Sequence, residues 1–173
     1  ERVLEKSVYV VGSDGSRQYV DLAGGIVVED IKEAELVVFA SSFPSGNEEW
    51  ISMVADEWRN RPDLDLICIN PDRYVQHKAA PYPVIGFYVD QFMKETGAEL
   101  TFSGKPDQSF SILVENHLKK LGIKMDDRVI FCDDNPYNVQ QMSKDLPLKA
   151  IYLRDTGLMF LEDSLKLDYS WLK

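Results

Sequence analysis

The chain has 173 residues, 45% of them hydrophobic, which suits one domain, or one small domain plus part of another, with a real core. Its formal net charge of −10 argues against nonspecific binding to DNA, RNA or anionic lipid, because phosphate backbones are held by Lys and Arg. It leaves room for a small phosphorylated ligand held at one local site. The two cysteines, Cys68 and Cys132, lie inside apolar runs and read as buried, reduced thiols. No signal peptide opens the chain and no run is long and apolar enough to span a membrane, so a reducing, cytoplasmic setting is expected. Residue 1 is Glu rather than Met, and the chain is expected not to start at a natural initiator.

Ser7-Val-Tyr-Val-Val11 is β-rich and runs into the turn Gly12-Ser13-Asp14-Gly15. Gly24-Gly25 breaks the following segment, and residues 25–28 read as a second strand. Residues 30–34 are polar and suit a turn or one helical turn. Residues 36–40 are apolar without interruption, as a strand buried on both faces of a parallel sheet would be. After a loop at 41–47, Trp50, Met53, Val54 and Trp58 recur at helical spacing. The two Trp residues suit packing against the sheet better than a ligand-stacking surface. Residues 64–69 form a fourth strand, ended by Asn70-Pro71-Asp72-Arg73, and residues 74–83 read as an irregular loop. Ile85, Val89, Phe92 and Met93 mark a helix up to Gly97, the expected boundary between two units. A strand at 100–103 enters a Gly-Lys-Pro turn. Phe110, Leu113, Val114, His117, Leu118 and Leu121 then predict an amphipathic helix ending at Gly122. A last strand is expected at 150–153 and one more helix within 158–173. Strands alternate with helices nearly throughout, so the class is α/β with mostly parallel strands.

The chemistry concentrates between Phe102 and Val139. Phe102-Ser103-Gly104-Lys105-Pro106-Asp107 opens this stretch. Arg128-Val-Ile-Phe-Cys-Asp133-Asp134-Asn135-Pro136 closes it as strand, acidic turn and helix, with Asn135 at the N-cap and Pro136 at the first helical position. Open α/β sheets keep ligands at the C-terminal ends of their strands, where Asp133 and Asp134 fall. Adjacent carboxylates repel each other, and a hard cation such as Mg²⁺ would relieve that. Lys105 is a point charge suited to a phosphate or to an aspartate. The plain alternative is that both acids are solvated and Lys105 is a surface lysine. Lys105 is expected on a turn opening towards Asp133 and Asp134. A Cys or His cluster for zinc, a P-loop and a nucleophile elbow are all absent from the sequence.

The order of Asn70-Pro71-Asp72-Arg73, Gly104-Lys105-Pro106, Asp133-Asp134 and Thr156-Gly157 resembles subclass IIA of the haloacid dehalogenase superfamily. The resemblance covers nearly the whole chain. It implies a Rossmann-like α/β core, incomplete in this chain, carrying an α/β cap. Residues 1–97 resemble the cap and residues 98–173 the C-terminal part of the core. It also implies a Mg²⁺-dependent phosphatase acting on a small phosphorylated metabolite through an aspartate nucleophile in Asp-x-Asp-Gly. Lys105 matches the family's catalytic lysine, and Asp133, Asp134 and Asn138 match its metal motif. Asn70, Asp72 and Arg73 fall in the cap segment that faces substrate.

Three departures stand out. Asp-x-Asp-Gly is absent, and Gly12 stands where Val10-Val-Gly-Ser-Asp14-Gly15 would need the nucleophile. The Ser/Thr motif that should precede the cap is missing. In the metal motif, Cys132 replaces a Gly and Asn138 replaces the second Asp. Without the carboxylate the covalent step cannot occur, because Lys105 and the acids only position and neutralise charge. Two functions follow. Either the nucleophile segment lies outside this chain, or the chain is a non-catalytic binding or interaction module. With no nucleophile strand beside it, the run at 128–132 should be an unpaired apolar edge, leading to a homo-oligomer or to marginal stability.

Overall fold

A computed structural model of the chain describes residues 3–42, 47–77 and 80–153. The expected helix within 158–173 and the Thr156-Gly157 motif lie outside these residues. The elements are β1 (Ser7–Val11), α1 (Asp14–Leu22), β2 (Ile26–Val28), a 3-10 turn (Ile31–Glu33), β3 (Leu36–Phe39), α2 (Asn47–Asn60) and β4 (Asp65–Cys68). They continue with β5 (Tyr74–His77), β6 (Ala80–Pro83), α3 (Ile85–Thr96), β7 (Thr101–Phe102), α4 (Gln108–Lys120), β8 (Ile130–Asp133), α5 (Pro136–Asp145) and β9 (Lys149–Tyr152). Among the described residues no helix is long and apolar enough to cross a membrane.

The chain divides into two compact units, Glu1–Tyr74 with Pro83–Ser103, and Val75–Tyr82 with Gly104–Lys173. The first is built on a five-stranded parallel sheet in the order β2-β1-β3-β4-β7. The alternation of strand side chains decides what each face buries. Val11, Val37, Phe39, Leu66 and Cys68 join Trp50, Ile51 and Val54 of α2 and Ile85, Val89 and Phe92 of α3. Val8, Val10, Leu36, Val38 and Ile67 join Val20 of α1 in a second cluster. All four residues of β3 are buried, as its unbroken apolar run requires. Trp50 packs beside Phe39 and Tyr88, with ring centroids 6.0 and 6.3 Å away, so it is a core residue. Gly97 closes α3 in the left-handed conformation at φ 74°, which a glycine adopts without steric cost. Strand β7 pairs with β4 and so adds the fifth strand to this sheet.

Two local readings change. Residues 74–83, expected to be irregular, contain β5 and β6, which form a two-stranded sheet. Both strands are edges, and an edge tolerates prolines such as Pro81 and Pro83. Helix α1 begins inside the expected Gly12–Gly15 turn and runs to Leu22, where no helix is expected. Gly15 sits near its start, and Tyr19 and Leu22 point outwards at 64% and 86% exposure.

In the second unit, β8 and β9 pair in parallel, with Asp133 opposite Tyr152. Among the described residues β8 pairs with β9 alone. Its burial is correspondingly thin: Ile130 is 54% exposed, and Cys132 is exposed rather than buried. A strand with one neighbour cannot hide both faces, and that is why the apolar run at 128–132 misleads about Cys132. Helix α4 shows the same lack of cover. Its expected apolar face includes Leu113 at 64% exposure, and His117 is exposed.

The two thiols should therefore behave differently. Burial pushes the Cys68 thiol up to about 11, so little thiolate exists near neutral pH. A maleimide should label Cys132 in the native protein and reach Cys68 only on unfolding. Equal labelling rates, read by peptide mass spectrometry, would contradict this packing. Backbone hydrogen exchange should also be slower in Leu36–Phe39 than in Ile130–Asp133, and equal strong protection in a proven monomer would show β8 to be covered from within the chain.

Candidate functional site

Strand β8 ends on Asp133, and the next residues turn at once into α5. Asn135 caps that helix, its side chain accepting from the Tyr137 N–H at 3.0 Å, and Pro136 occupies the first turn. This local geometry follows from residue type. The Asn oxygen meets an orphan helix N–H, and proline lacks the N–H that would have had no partner there. The cap also turns the Asn135 N–H onto Asp133 Oδ1 at 2.9 Å. The first turn of α5 brings Asn138 back to the same carboxylate, its Nδ2 donating to Oδ1 at 3.0 Å.

Lys105 approaches from the turn before α4. Asp107 caps that helix by accepting from the Ser109 N–H at 2.8 Å, and the Lys105–Pro106 peptide bond is cis. Lys105 Nζ donates to Asp133 Oδ2 at 2.6 Å. The two helices are tied together behind the site. Ser111 of α4, almost fully buried, donates to Asp145 Oδ2 of α5 at 2.6 Å, and Gln141 donates to the other oxygen at 2.8 Å. Val139 and Met142 pack beneath.

Asp133 thus has three donors on two oxygens, although its side chain is only 5% exposed. A carboxylate that far out of water is costly unless its lone pairs are met by hydrogen bonds and a counter-charge. The Lys105 side chain stays 37% exposed, so its ammonium faces both Asp133 and solvent. Asn138 is 1% exposed, and its Oδ1 is buried with no hydrogen-bond partner. Asp134 is exposed.

Lys105, Asp133 and Asn138 are therefore assembled at one point. Asp134 is next in the chain but stands in solvent. Asn70, Asp72 and Arg73 belong to the first unit, at the C-terminal end of β4. There Asn70 Oδ1 accepts from the Asp72 N–H at 3.3 Å, and Arg73 Nε pairs with Asp90 of α3 at 2.6 Å. Gly86 sits directly against this turn. A Cβ on it would come within 2.3 Å of the Pro71 carbonyl oxygen, so only glycine lets α3 start there. Two features escape a sequence reading. The Asn135 N–H is a donor to the site, a role implicit in its capping position. Asn138 faces Asp133 as a hydrogen-bond donor rather than as an oxygen ligand.

Replacing Lys105 by Met removes the counter-charge and leaves Asp133 buried. Breaking a fully buried pair costs about 3–5 kcal/mol, and the partial exposure of Lys105 reduces the expectation to about 1–2 kcal/mol. Urea unfolding followed in the second unit should show that loss. Asp133→Asn combined with Lys105→Met should recover part of it, because no isolated charge then remains, and a double variant less stable than either single one would count against the pairing.

The sequence matches no family model and no curated protein. Solved structures do match. A p-nitrophenyl phosphatase from Archaeoglobus fulgidus superposes with a TM-score of 0.70 at 25% identity, over 92% of this chain and 58% of its own. A thermostable NPPase variant from Geobacillus stearothermophilus gives 0.69 at 21% identity, over 91% and 60%. NagD from E. coli K-12 gives 0.67 at 20% identity, over 95% and 61%. The chain spans about three fifths of the length of each of these proteins. The last two likenesses concern the fold. The chain therefore has the fold of haloacid dehalogenase-type phosphatases, with a lysine–aspartate pair at the end of one of its strands.

Proposed function

We propose that the chain is the cap and C-terminal core portion of a Mg²⁺-dependent phosphatase, a phosphoric monoester hydrolase for a small phosphorylated metabolite in the cytoplasm. Residues 1–97 are assigned to the cap and residues 98–173 to the core. The observation that carries this reading is the Lys105–Asp133 pair, 2.6 Å long, at the C-terminal end of β8. Lys105 uses one N–H on Asp133 and is partly exposed, so its remaining donors can face a phosphoryl oxygen. A charge fixed in a poorly solvated site stabilises a developing anion more than it would in water.

The donor set suits a hard cation. Asp133 supplies a carboxylate, Asp134 stands beside it, and Asn138 Oδ1 is a buried oxygen without a partner. In the proposed enzyme these three residues would hold Mg²⁺, which would supply positive charge for a phosphoryl group. Asn70, Asp72 and Arg73 are the proposed substrate contacts from the cap. Arg73 already pairs with Asp90, so a phosphate there would share or displace that carboxylate.

The nucleophile is assigned to a segment N-terminal to Glu1. Two facts support this: the chain spans 58% of the Archaeoglobus phosphatase, and β8 has an edge without a strand partner among the described residues. The same edge is where a homo-oligomer would form if that segment were not present. The second reading, a non-catalytic module, is favoured by one observation. Asn138 replaces an acid and uses its amide on Asp133.

The test is turnover of p-nitrophenyl phosphate. The chain alone should show none. Protein carrying the natural upstream sequence should hydrolyse it with Mg²⁺, and Lys105→Met and Asp133→Asn should each reduce kcat about 100-fold or more. An upstream-extended protein that is folded and inert towards a panel of phosphate esters would favour the non-catalytic module.

A further inference from the structure

We propose that Asn138 is a positioning residue that holds the Asp133 carboxylate without help from a metal ion, so that the centre is preformed rather than assembled by the cation. The inference rests on the reading of this site as a phosphatase centre, but its test uses no turnover.

The orientation of one amide carries the proposal. Asn138 is 1% exposed, and its Nδ2 lies 3.0 Å from Asp133 Oδ1. Turning the amide over would set two acceptors 3.0 Å apart and bury the NH₂ group instead, so the carboxylate fixes which end faces it. The consequence is an amide oxygen buried with no partner. A buried acceptor left unmet is unfavourable, and the arrangement stands only because the donor end gains more. Asn138 thus acts first as a donor to Asp133.

The other donors complete the set. The Asn135 N–H is fixed by the helix cap, and Lys105 covers the second oxygen. Charge balance at the Asp133 carboxylate is local: one ammonium faces it, and its other two donors are neutral. Among the described residues, no three His, Cys, Asp or Glu side chains gather where they could hold a metal. A carboxylate at position 138 would change this. Two acids would face each other across about the same gap, buried, and one would need a cation or a proton. The neutral amide removes that requirement. The orphaned Oδ1 remains as an oxygen that a cation can use but that the fold does not need filled.

The experiment is thermal unfolding of the full chain in EDTA and in millimolar MgCl₂. Wild type should melt within about 1 °C in the two buffers, since an ion with little affinity for the native state shifts nothing. Asn138→Asp should melt about 4 °C or more lower in EDTA and regain most of that in MgCl₂. Asn138→Leu, which lacks the donor, should be lowered equally in both. A wild type that loses several degrees in EDTA overturns the proposal. So does Asn138→Asp as stable as wild type in EDTA, or lowered and unmoved by MgCl₂. If that variant folds in neither buffer, NMR of the wild type decides. Side-chain amide protons of Asn138 that exchange slowly in EDTA support the proposal, and fast exchange refutes it. Loss of turnover in the upstream-extended protein would bear on the phosphatase reading and leave these melting results untouched.

Discussion

The carboxylate of Asp133 is the constraint on which the second unit depends. It is held out of water, and the surrounding elements are placed so as to meet it. The cap at Asn135 aims a backbone N–H at it, the first turn of α5 returns with Asn138, and the turn before α4 delivers Lys105. The Ser111–Asp145 bond then fixes α4 against α5, so that Lys105 and Asn138 keep a common target. An ion pair of this kind is a poor source of stability, because desolvation offsets most of its attraction. Its place at the end of a strand is where the proposed chemistry would use it.

The two units meet the burial problem in opposite ways. The first has five parallel strands, with an apolar cluster on each face of the sheet. Phe39, Phe92, Leu36 and Ile85 are fully buried, each contributing about 1.5–3 kcal/mol relative to exposure. Among its described residues the second has only two-stranded sheets, β5–β6 and β8–β9, and apolar side chains such as Ile130 and Leu113 remain half or more exposed. Cooperative stability should follow the first pattern and local opening the second. The difference is one of sheet size rather than of sequence quality, since α4 and β8 are as apolar in pattern as the elements of the first unit.

That contrast explains what could be read from residues alone. Strand β3, the cap Asn135-Pro136 and the Gly97 terminus each carry a local physical signal strong enough to be decisive: an unbroken apolar run, an orphan N–H met by an amide, and a backbone conformation suited to glycine. The Lys105–Asp133 contact was legible for a similar reason, because both residues lie at turns that open towards the end of one strand. Helix α1 was not, because it is short and begins inside a Gly-Ser-Asp-Gly segment that reads as a turn. The strands β5 and β6 were hidden by Pro81 and Pro83, which an edge accepts. Cys132 was misjudged because burial depends on the neighbours of a strand, and a sequence does not show how many it has. Asn138 was legible as a site residue but not in its donor role, since an Asn offers both ends and only the facing atom decides.

The charge count at Asp133 links the hydrogen bonds of the centre to its proposed chemistry. Within this chain the centre is balanced, with Lys105 against Asp133 and a neutral Asn138 beside them. On the proposed reading, a nucleophilic carboxylate joining the same site would tip the balance by one negative charge, and a phosphoryl group would add more. A divalent cation then becomes useful at the moment when the reacting groups meet and not before. Had position 138 carried an acid, the imbalance would exist in the chain itself, and the cation would serve folding as well as catalysis. Asn138 separates the two roles: hydrogen bonds keep the carboxylate in place, and the cation is left to the chemistry.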